Sequence, residues 1–403
     1  MRMIHTSDWH LGRSLHGVGL LEAQAGYLDH LVEVVRGEGV DAVVVAGDVY
    51  DRAIPPPDAV DLLSQTLLRL RDAGASVILS PGNHDSARRL GFGSPLLEEA
   101  GVHIRSSLAD VARPVVVDGV PIYPLPYLDP LSTQVQTHLG VETRTHAAVV
   151  SAAMERIRAD AGTRGPAAVV AAHCFAGEGM VTDSERDISV GGVSMVPASV
   201  FDGLSYAALG HLHRPQEITP SVRYCGSPVP MSFSETGETK GSLLVEVEPD
   251  GGTRVETVPA PVHRPLAVLT GTIDELLADP RHAEHERSFV QAVLTDPLRP
   301  RGAMDRLRGR FPHVLSLQLR PSQADATVPR RPVSVRGRSA ASVCRDFVTD
   351  VRDGVAPSEA ERRVITDAVD GARRQRDTRQ DEGQVEGRGE GQVSGRGDSR
   401  GAA

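Results

Sequence analysis

Apolar and polar positions alternate in blocks along the first 260 residues. A short apolar run, "RMIHTSD" (2–8), reads as a strand. "EAQAGYLDHLVEVVRGEG" (22–39) repeats its apolar positions at helical spacing and reaches Gly37 and Gly39, either of which can close a helix. "DAVVVAGD" (41–48) is a continuous apolar strand. Pro55, Pro56 and Pro57 then break the chain, and "PDAVDLLSQTLLRLRDAG" (57–74) is an amphipathic helix with Pro57 in its first turn. "ASVILSPGNHD" (75–85) is the next strand with its exit. Further strands are predicted at "AAVVAAH" (167–173) and "SYAALGHLH" (205–213), with β-rich stretches near 215–225 and 241–259. Strands that are apolar along their whole length, interleaved with helices, predict sheets buried on both faces. The expected fold class is α/β: a layered sandwich over 1–260, with two central sheets flanked by helices.

The pattern changes after residue 260. "HRPLAVLTG", "SFVQAVLTD", "AMDRLRGRF" and "HVLSLQLRP" predict a small α+β cap over 262–330. Residues 338–370 predict two helices joined around Gly354 to Pro357, with Ser358 and Glu361 in capping-box spacing. Val343, Phe347, Val348 and Val351 form an apolar stripe, for packing on its own chain or on a partner helix. Residues 371–403 are rich in Gly, Arg and acids and nearly devoid of apolar side chains, so a disordered tail is expected.

Composition narrows the classes. No apolar run approaches the roughly 18 residues of a membrane span, and "MRMIHTSD" lacks the apolar core of a signal peptide, so a cytoplasmic protein is expected. Cys174, Cys225 and Cys344 are odd in number and far apart, with no zinc-knuckle or disulfide spacing; they are expected to be buried small hydrophobes. A net charge of −10 argues against a surface that is basic overall. It leaves room for a local basic groove and suits a protein that concentrates cations.

The polar residues gather where the strands end. Asp8 and His10 follow the first strand and Asp48 follows "DAVVVAG". Asn83 and His84 follow "ASVILSPG", His173 closes "AAVVAAH", and His211 and His213 close "YAALGHLH". The carboxyl edge of an α/β sheet is where ligands bind. Residues i and i+2 of an extended chain point the same way, so Asp8 with His10, and His211 with His213, are each expected to face one point. Gly47, Gly82 and Gly210 precede three of these positions and permit tight turns and close backbone approach. Besides His84, two Asp, one Asn and four His suit manganese, iron or zinc; magnesium or calcium would call for oxygen alone. Seven donors exceed a four-ligand structural zinc site and suit two ions sharing a bridging carboxylate. Singly, D-x-H or "GNHD" could be a turn or cap. Five such elements in order at strand ends make coincidence a poor explanation.

"SDWH", "GD", "GNHD", "H" and "GHLH", in this order, resemble the calcineurin-like binuclear metallophosphoesterases. Within them, "HTSDWHLGRSLHG", "AGDVYDRAIPPPDAV", "GNHDSARRLGFG" and "YCGSPVPMSFSE" resemble the SbcD-type nuclease subunits of bacterial SbcC–SbcD complexes. The resemblance implies that Asp8, His10, Asp48 and His213 hold one divalent ion and that Asp48, Asn83, His173 and His211 hold the other, with Mn2+ expected and Fe or Zn as alternatives. It implies that His84 acts at the scissile phosphate and that Asp85 orients the His84 ring. Archaeal and eukaryotic relatives carry a histidine three residues after the bridging Asp; Asp51 stands there in this chain, and no proton-donor role follows for it.

The resemblance further implies ATP-dependent double-strand 3′→5′ exonuclease and single-strand or hairpin endonuclease activity, in DNA replication, recombination and repair. The expected partners are a coiled-coil ATPase of the SbcC type docked on 338–370, double-stranded and hairpin DNA, and a second nuclease subunit, giving a heterotetramer associated with the nucleoid. The helix at 57–72, with Leu63 and Leu67 exposed, is a candidate dimer interface or part of the core. Arg13, Arg52, Arg88 and Arg89 follow the metal-site motifs and are candidates for the DNA groove or for ordinary ion pairs. Two rival functions remain: a small-molecule phosphodiesterase of the same superfamily, and a non-catalytic DNA-end scaffold, against which the intact donor set argues.

Overall fold

The computed structural model describes residues 1–185, 195–321, 338–352 and 354–386. The chain opens with β1 (Arg2–Thr6), the hairpin β2 (Ser14–Leu15) and β3 (Val18–Gly19), α1 (Leu21–Glu38), β4 (Ala42–Ala46), α2 (Pro57–Asp72) and β5 (Ser76–Ser80). α1 ends where Gly39 turns left-handed at φ 60° and returns its N–H to the Val35 carbonyl, a conformation open to glycine at little cost. α2 begins on Pro57, whose missing N–H costs nothing in a first turn. Short helices α3 (Ala87–Leu90) and α4 (Ser94–Glu99) lead to β6 (Val102–Ile104), β7 (Val115–Val117) and β8 (Val120–Pro124). Then follow α5 (Thr133–Leu139), α6 (His146–Ala161), β9 (Val169–His173), β10 (Tyr206–Gly210), β11 (Gln216–Thr219), β12 (Val222–Tyr224), β13 (Gly241–Val247) and β14 (Thr253–Pro259).

Two six-stranded sheets result, as the apolar strands predicted. The first runs β14-β13-β1-β4-β5-β6 and the second β11-β12-β10-β9-β8-β7. β1, β4, β5 and β6 are mutually parallel, as are β8, β9, β10 and β12. Side chains alternate between two cores. Ile4, Val43 and Val45 face the layer that contains α1 and α2, whereas Met3, Val44 and Ala46 face the second sheet, meeting Val169, Ala171 and Ala208. The other face of the second sheet packs on α5 and α6 through Val149, Ala153, Met154 and Ile157. β4, β9 and β10 are buried along their full length, and each wholly buried valine contributes on the order of 2 kcal/mol. His5 of β1 crosses between the sheets to Tyr206 Oη (3.0 Å) and the Leu209 carbonyl (3.1 Å). Burial lowers its pKa to about 3, so the ring stays neutral.

The 262–330 segment holds β15 (Leu266–Gly271), α7 (Ile273–Ala278), β16 (Phe289–Leu294), α8 (Ala303–Arg310) and β17 (Val314–Leu319). Its strands form a parallel sheet ordered β15-β16-β17, joined by two helical crossovers around a core of Leu269, Leu276, Leu307 and Phe311. Thr272 and Glu275 cap α7 reciprocally. Phe289, with Leu266 and Leu315, packs onto the core beside α1. Met1–Gln323 forms one compact unit and Ala324–Ala403 a second. The second contains α9 (Ala340–Val351) and α10 (Glu359–Glu386). Ser358 and Glu361 cap α10 as their spacing predicted, and Arg352 grips Glu361 with two hydrogen bonds of 3.1 and 2.8 Å.

Several expectations are corrected. α10 runs on to Glu386, past the expected end of the helical segment at 370; Ala, Arg, Gln and Glu all favour helix. The rest of the expected tail lies outside the described residues. Cys174 and Cys225 are buried, but Cys344 is exposed on α9. Leu63 and Leu67 face inward, while Leu68 is 65% exposed: a step of one residue turns a helix by about 100°, enough to carry Leu68 off the buried face that Leu67 shares with Leu63. No helix of the described residues is long and apolar enough to cross a membrane.

Candidate metal centre

The parallel strands β1, β4, β5, β9 and β10 bring their carboxyl ends to one edge, and the polar residues predicted there converge. Three clusters place one donor atom from each member within 4.8 Å of the others: Asp8, His10 and His213; His10, Asp48 and His84; Asp8, Asp48 and His173. Asp48 stands between two groups of donors. Its Oδ2 lies 3.5 Å from His10 Nε2 and 3.3 Å from His173 Nε2, while Oδ1 accepts the His84 N–H at 2.9 Å. His10 and His213 point their Nε2 atoms at each other, 3.1 Å apart. Asn83 Oδ1 is 2.9 Å from His173 Nε2.

His211 takes a different place from its sequence neighbour His213. Its backbone N–H donates to both Asp8 oxygens at 3.1 Å, and its ring lies edge-on to His173 at 5.4 Å between centroids. The His211/His213 pair therefore divides between two ends of the centre instead of facing one point. The backbone explains this. Asp8, His10, Asp48 and His211 all have positive φ (54°, 45°, 49° and 102°), so strand alternation stops before the donors begin. Such conformations cost on the order of 1–3 kcal/mol each and persist where surrounding structure holds them. The three glycines act by close approach. A Cβ on Gly47 would lie 2.3 Å from His173 Nδ1, one on Gly82 2.1 Å from Asp48 Oδ1, and one on Gly210 1.9 Å from the Ala46 carbonyl.

The charges of the centre follow from burial and from each other. Burial pushes Asp8 up to about 7, helped by the Asp48 charge. Burial opposes ionisation of Asp48 too, but His173, His10 and His84 more than offset it and hold the carboxylate well below its usual range. In return, and against burial, Asp48 and Asp8 raise His173 to about 9. Burial keeps His10 and His213 low and takes His211 down to about 3. Once His173 and Asp8 give up their protons, carboxylates, an amide carbonyl and neutral imidazoles converge in one buried volume, a fitting donor set for divalent manganese, iron or zinc. Asn83 Nδ2 is buried without a hydrogen-bond partner among the described residues, leaving the Asn83 oxygen as the atom turned into the cluster.

Two assignments change. Asp85 does not reach the His84 ring: its oxygens accept the N–H groups of Val49 (3.1 Å), Tyr50 (2.9 Å) and Gly82 (2.9 Å). It braces the loops carrying Asp48 and Asn83. His84 Nδ1 donates instead to the Asp51 carbonyl at 2.8 Å, so the backbone of Asp51 orients that ring. Among the arginines, Arg13 donates within the chain to Asp51 (3.1 Å) and the Ser184 carbonyl (2.6 Å), the ordinary ion pairing that was the alternative to a DNA groove. Arg52, Arg88 and Arg89 are exposed, and Arg89 donates to the Ala53 carbonyl. The sequence reading also passed over Gln24, whose amide holds the Trp9 and His10 carbonyls at 2.9 and 2.7 Å. Helical periodicity marks Gln24 only as a polar residue on α1.

Residues 1–215 match the family model of calcineurin-like phosphoesterases. Residues 262–351 match the SbcD C-terminal model, described as the Type 5 capsule protein repressor C-terminal domain. Among solved structures, the protein TT1561 of Thermus thermophilus aligns at 11% identity over 64% of this chain and 98% of its own, with a TM-score of 0.36. A β-glucosidase from Exiguobacterium marinum aligns at 10% identity over 79% and 88%, with a TM-score of 0.19. Likenesses this slight bear on neither fold nor chemistry.

Proposed function

The chain belongs to the calcineurin-like phosphoesterase family, and from that premise we propose that it is an SbcD-type DNA nuclease, cutting phosphodiesters together with a coiled-coil ATPase of the SbcC type. One observation carries the reading: Asp, His and Asn donors gathered at the sheet edge occur in the same chain as a match to the SbcD C-terminal domain. Asp8, His10, Asp48 and His213 would hold one divalent ion, and Asp48, Asn83, His173 and His211 the other, with manganese the metal we favour. When bound, such a pair supplies Lewis-acid stabilisation of the phosphate charge and an activated water.

The chain's own residues set the remaining geometry. With its Nδ1–H given to the Asp51 carbonyl, His84 has Nε2 left to face the substrate. Protonated, Nε2 donates to the leaving oxygen or to a phosphate oxygen, work typically worth about 10²–10⁴ in rate. Arg52, Arg88 and Arg89, all exposed, would meet backbone phosphates, and charge reversal at Arg88 and Arg89 should weaken DNA binding and flatten its salt dependence. The exposed apolar residues of the second unit, Phe347, Val351, Val355 and Val364, suit docking of the ATPase. Leu68, in place of Leu63 and Leu67, suits contact with a second nuclease subunit.

The deciding experiment is a nuclease assay of the purified chain on hairpin and blunt duplex DNA with manganese, with and without the ATPase and ATP. Metal-dependent cleavage, extended by ATP on duplex ends, is the expected result. Hydrolysis of bis-p-nitrophenyl phosphate without DNA cleavage, even with the ATPase present, would favour a small-molecule phosphodiesterase. No hydrolysis of either substrate with metals bound would favour a DNA-end scaffold.

A further inference from the structure

The segment "YCGSPVPMSFSE" and the single lysine, Lys240, have no part in the centre as built so far. The fold carries both to the outer side of His213. His213 Nδ1 lies 2.6 Å from Ser184 Oγ, and Ser184 Oγ reaches Glu235 Oε1 at 2.6 Å. Glu235 is only 2% exposed. Lys240 Nζ pairs with Glu235 Oε2 at 2.5 Å and donates to the His213 carbonyl at 2.7 Å. The Met231 N–H lies 3.4 and 3.3 Å from the two Glu235 oxygens.

Thr182 Oγ1 also lies 2.8 Å from Ser184 Oγ and can give its hydrogen to Glu185 Oε2 at 2.7 Å; with Glu235 ionised beside Lys240, proton counting still leaves one arrangement along His213, Ser184 and Glu235. A carboxylate can only accept, so the single hydroxyl hydrogen of Ser184 goes to Glu235. The hydroxyl must then accept from the imidazole, and Nδ1 carries a hydrogen whatever the charge of the ring. The neutral ring consequently presents the lone pair of Nε2 to Asp8 and His10, the other members of its cluster. Without the relay, nothing in these contacts prevents the opposite tautomer, whose Nε2–H would close that position to a cation.

We propose that Ser184 and Glu235 are positioning residues that fix the Nε2-donating tautomer of His213, with Lys240 anchoring Glu235 from behind. This rests on the reading of His213 as a metal ligand. Outer partners of ligating histidines are typically worth about 10–100-fold in metal affinity, and here the effect should fall on one site of two.

The test is Mn2+ binding to the full-length chain, followed calorimetrically and by the EPR signal of free Mn2+. Ser184→Ala should weaken one of the two sites about 10–100-fold, leave the other within twofold, and leave the melting temperature of the metal-free protein nearly unchanged. Ser184→Thr, which keeps the hydroxyl, should restore the weakened site. Glu235→Gln should weaken the same site, and the double variant should be no worse than the more affected single one. Wild-type affinity at both sites in Ser184→Ala would overturn the proposal. So would equal weakening of both sites with a lowered melting temperature, the mark of a packing role. If His213→Ala keeps two tightly bound ions, the ligand reading itself fails, and that result is distinct from any behaviour of Ser184.

Discussion

At the scale of single residues, the proposed function separates groups that would hold metal from the one that would act on the phosphate. Asp48 touches His10, His173 and the His84 amide, so Asp48→Ala should lose bound metal as well as hydrolysis. His84→Gln should keep two ions per chain by elemental analysis while the rate of phosphodiester cleavage falls about 10²–10⁴-fold; full activity in that variant would remove His84 from the chemistry. Gly82 gives a sharper steric case. A methyl group there would overlap Asp48 at 2.1 Å from Oδ1 and 2.4 Å from its backbone nitrogen. Gly82→Ala should therefore cost about 1–3 kcal/mol and lower the metal content. Gly26→Ala, in the middle of α1 with open space around it, should instead stabilise by up to about 1 kcal/mol. Chemical denaturation of both variants checks the pair, and equal effects would remove the steric account of Gly82.

At the scale of elements, exposure decides what a helix is for. α9 leaves Phe347 67% exposed, an unusual position for a large aromatic on a helix with few neighbours. Phe347→Asp should change stability by no more than about 0.5 kcal/mol yet abolish copurification with the proposed ATPase partner; retained binding would move the proposed docking surface elsewhere. On α2 the reversal of expectation is instructive. Leu63 and Leu67 complete the core beside β4 and β5, and Leu68 is turned outward. Leu68→Glu should shift any dimer towards monomer in sedimentation without unfolding it, whereas Leu67→Glu should unfold the chain.

At the scale of the whole molecule, metal and fold are linked through protons. Without cations, the raised His173 contributes stability that is fully present below pH 6.5, while Asp48 stays ionised, and is lost as pH rises through about 9. Asp8, held near 7 mainly by burial, also makes the metal-free fold less stable as pH rises above the ordinary carboxylate range. Cation binding needs both groups deprotonated, so its pH dependence has the opposite sign. Mn2+ at a hundredfold excess over its dissociation constant should add about 2.7 kcal/mol per site, and this gain should shrink as pH is lowered from 9 to 6. Melting curves with and without Mn2+ at pH 6, 7.5 and 9 measure it; a gain independent of pH would show that neither His173 nor Asp8 yields a proton to the metal.

The order of the strands' apolar runs and the donors at their ends was legible in the sequence because both are local. A run such as "AVVVA" buries both faces wherever it packs, and a donor one or two residues past it must lie at the sheet edge. The capping of α10 by Ser358 and Glu361 was legible for the same reason. Tertiary structure alone decided the rest. Asp85 stands next to His84 in the chain, yet its oxygens are taken by three backbone amides, and a carbonyl 33 residues away orients the ring. The i, i+2 pairing of His211 and His213 failed because left-handed φ values break strand alternation at the donors. The partners of His213, Ser184 and Glu235, lie 51 residues apart from one another and meet only in the folded chain. Sequence thus determined which atoms this protein can offer a metal; the fold determined which way each one points, because hydrogen bonds between distant segments set ring orientation and periodicity does not.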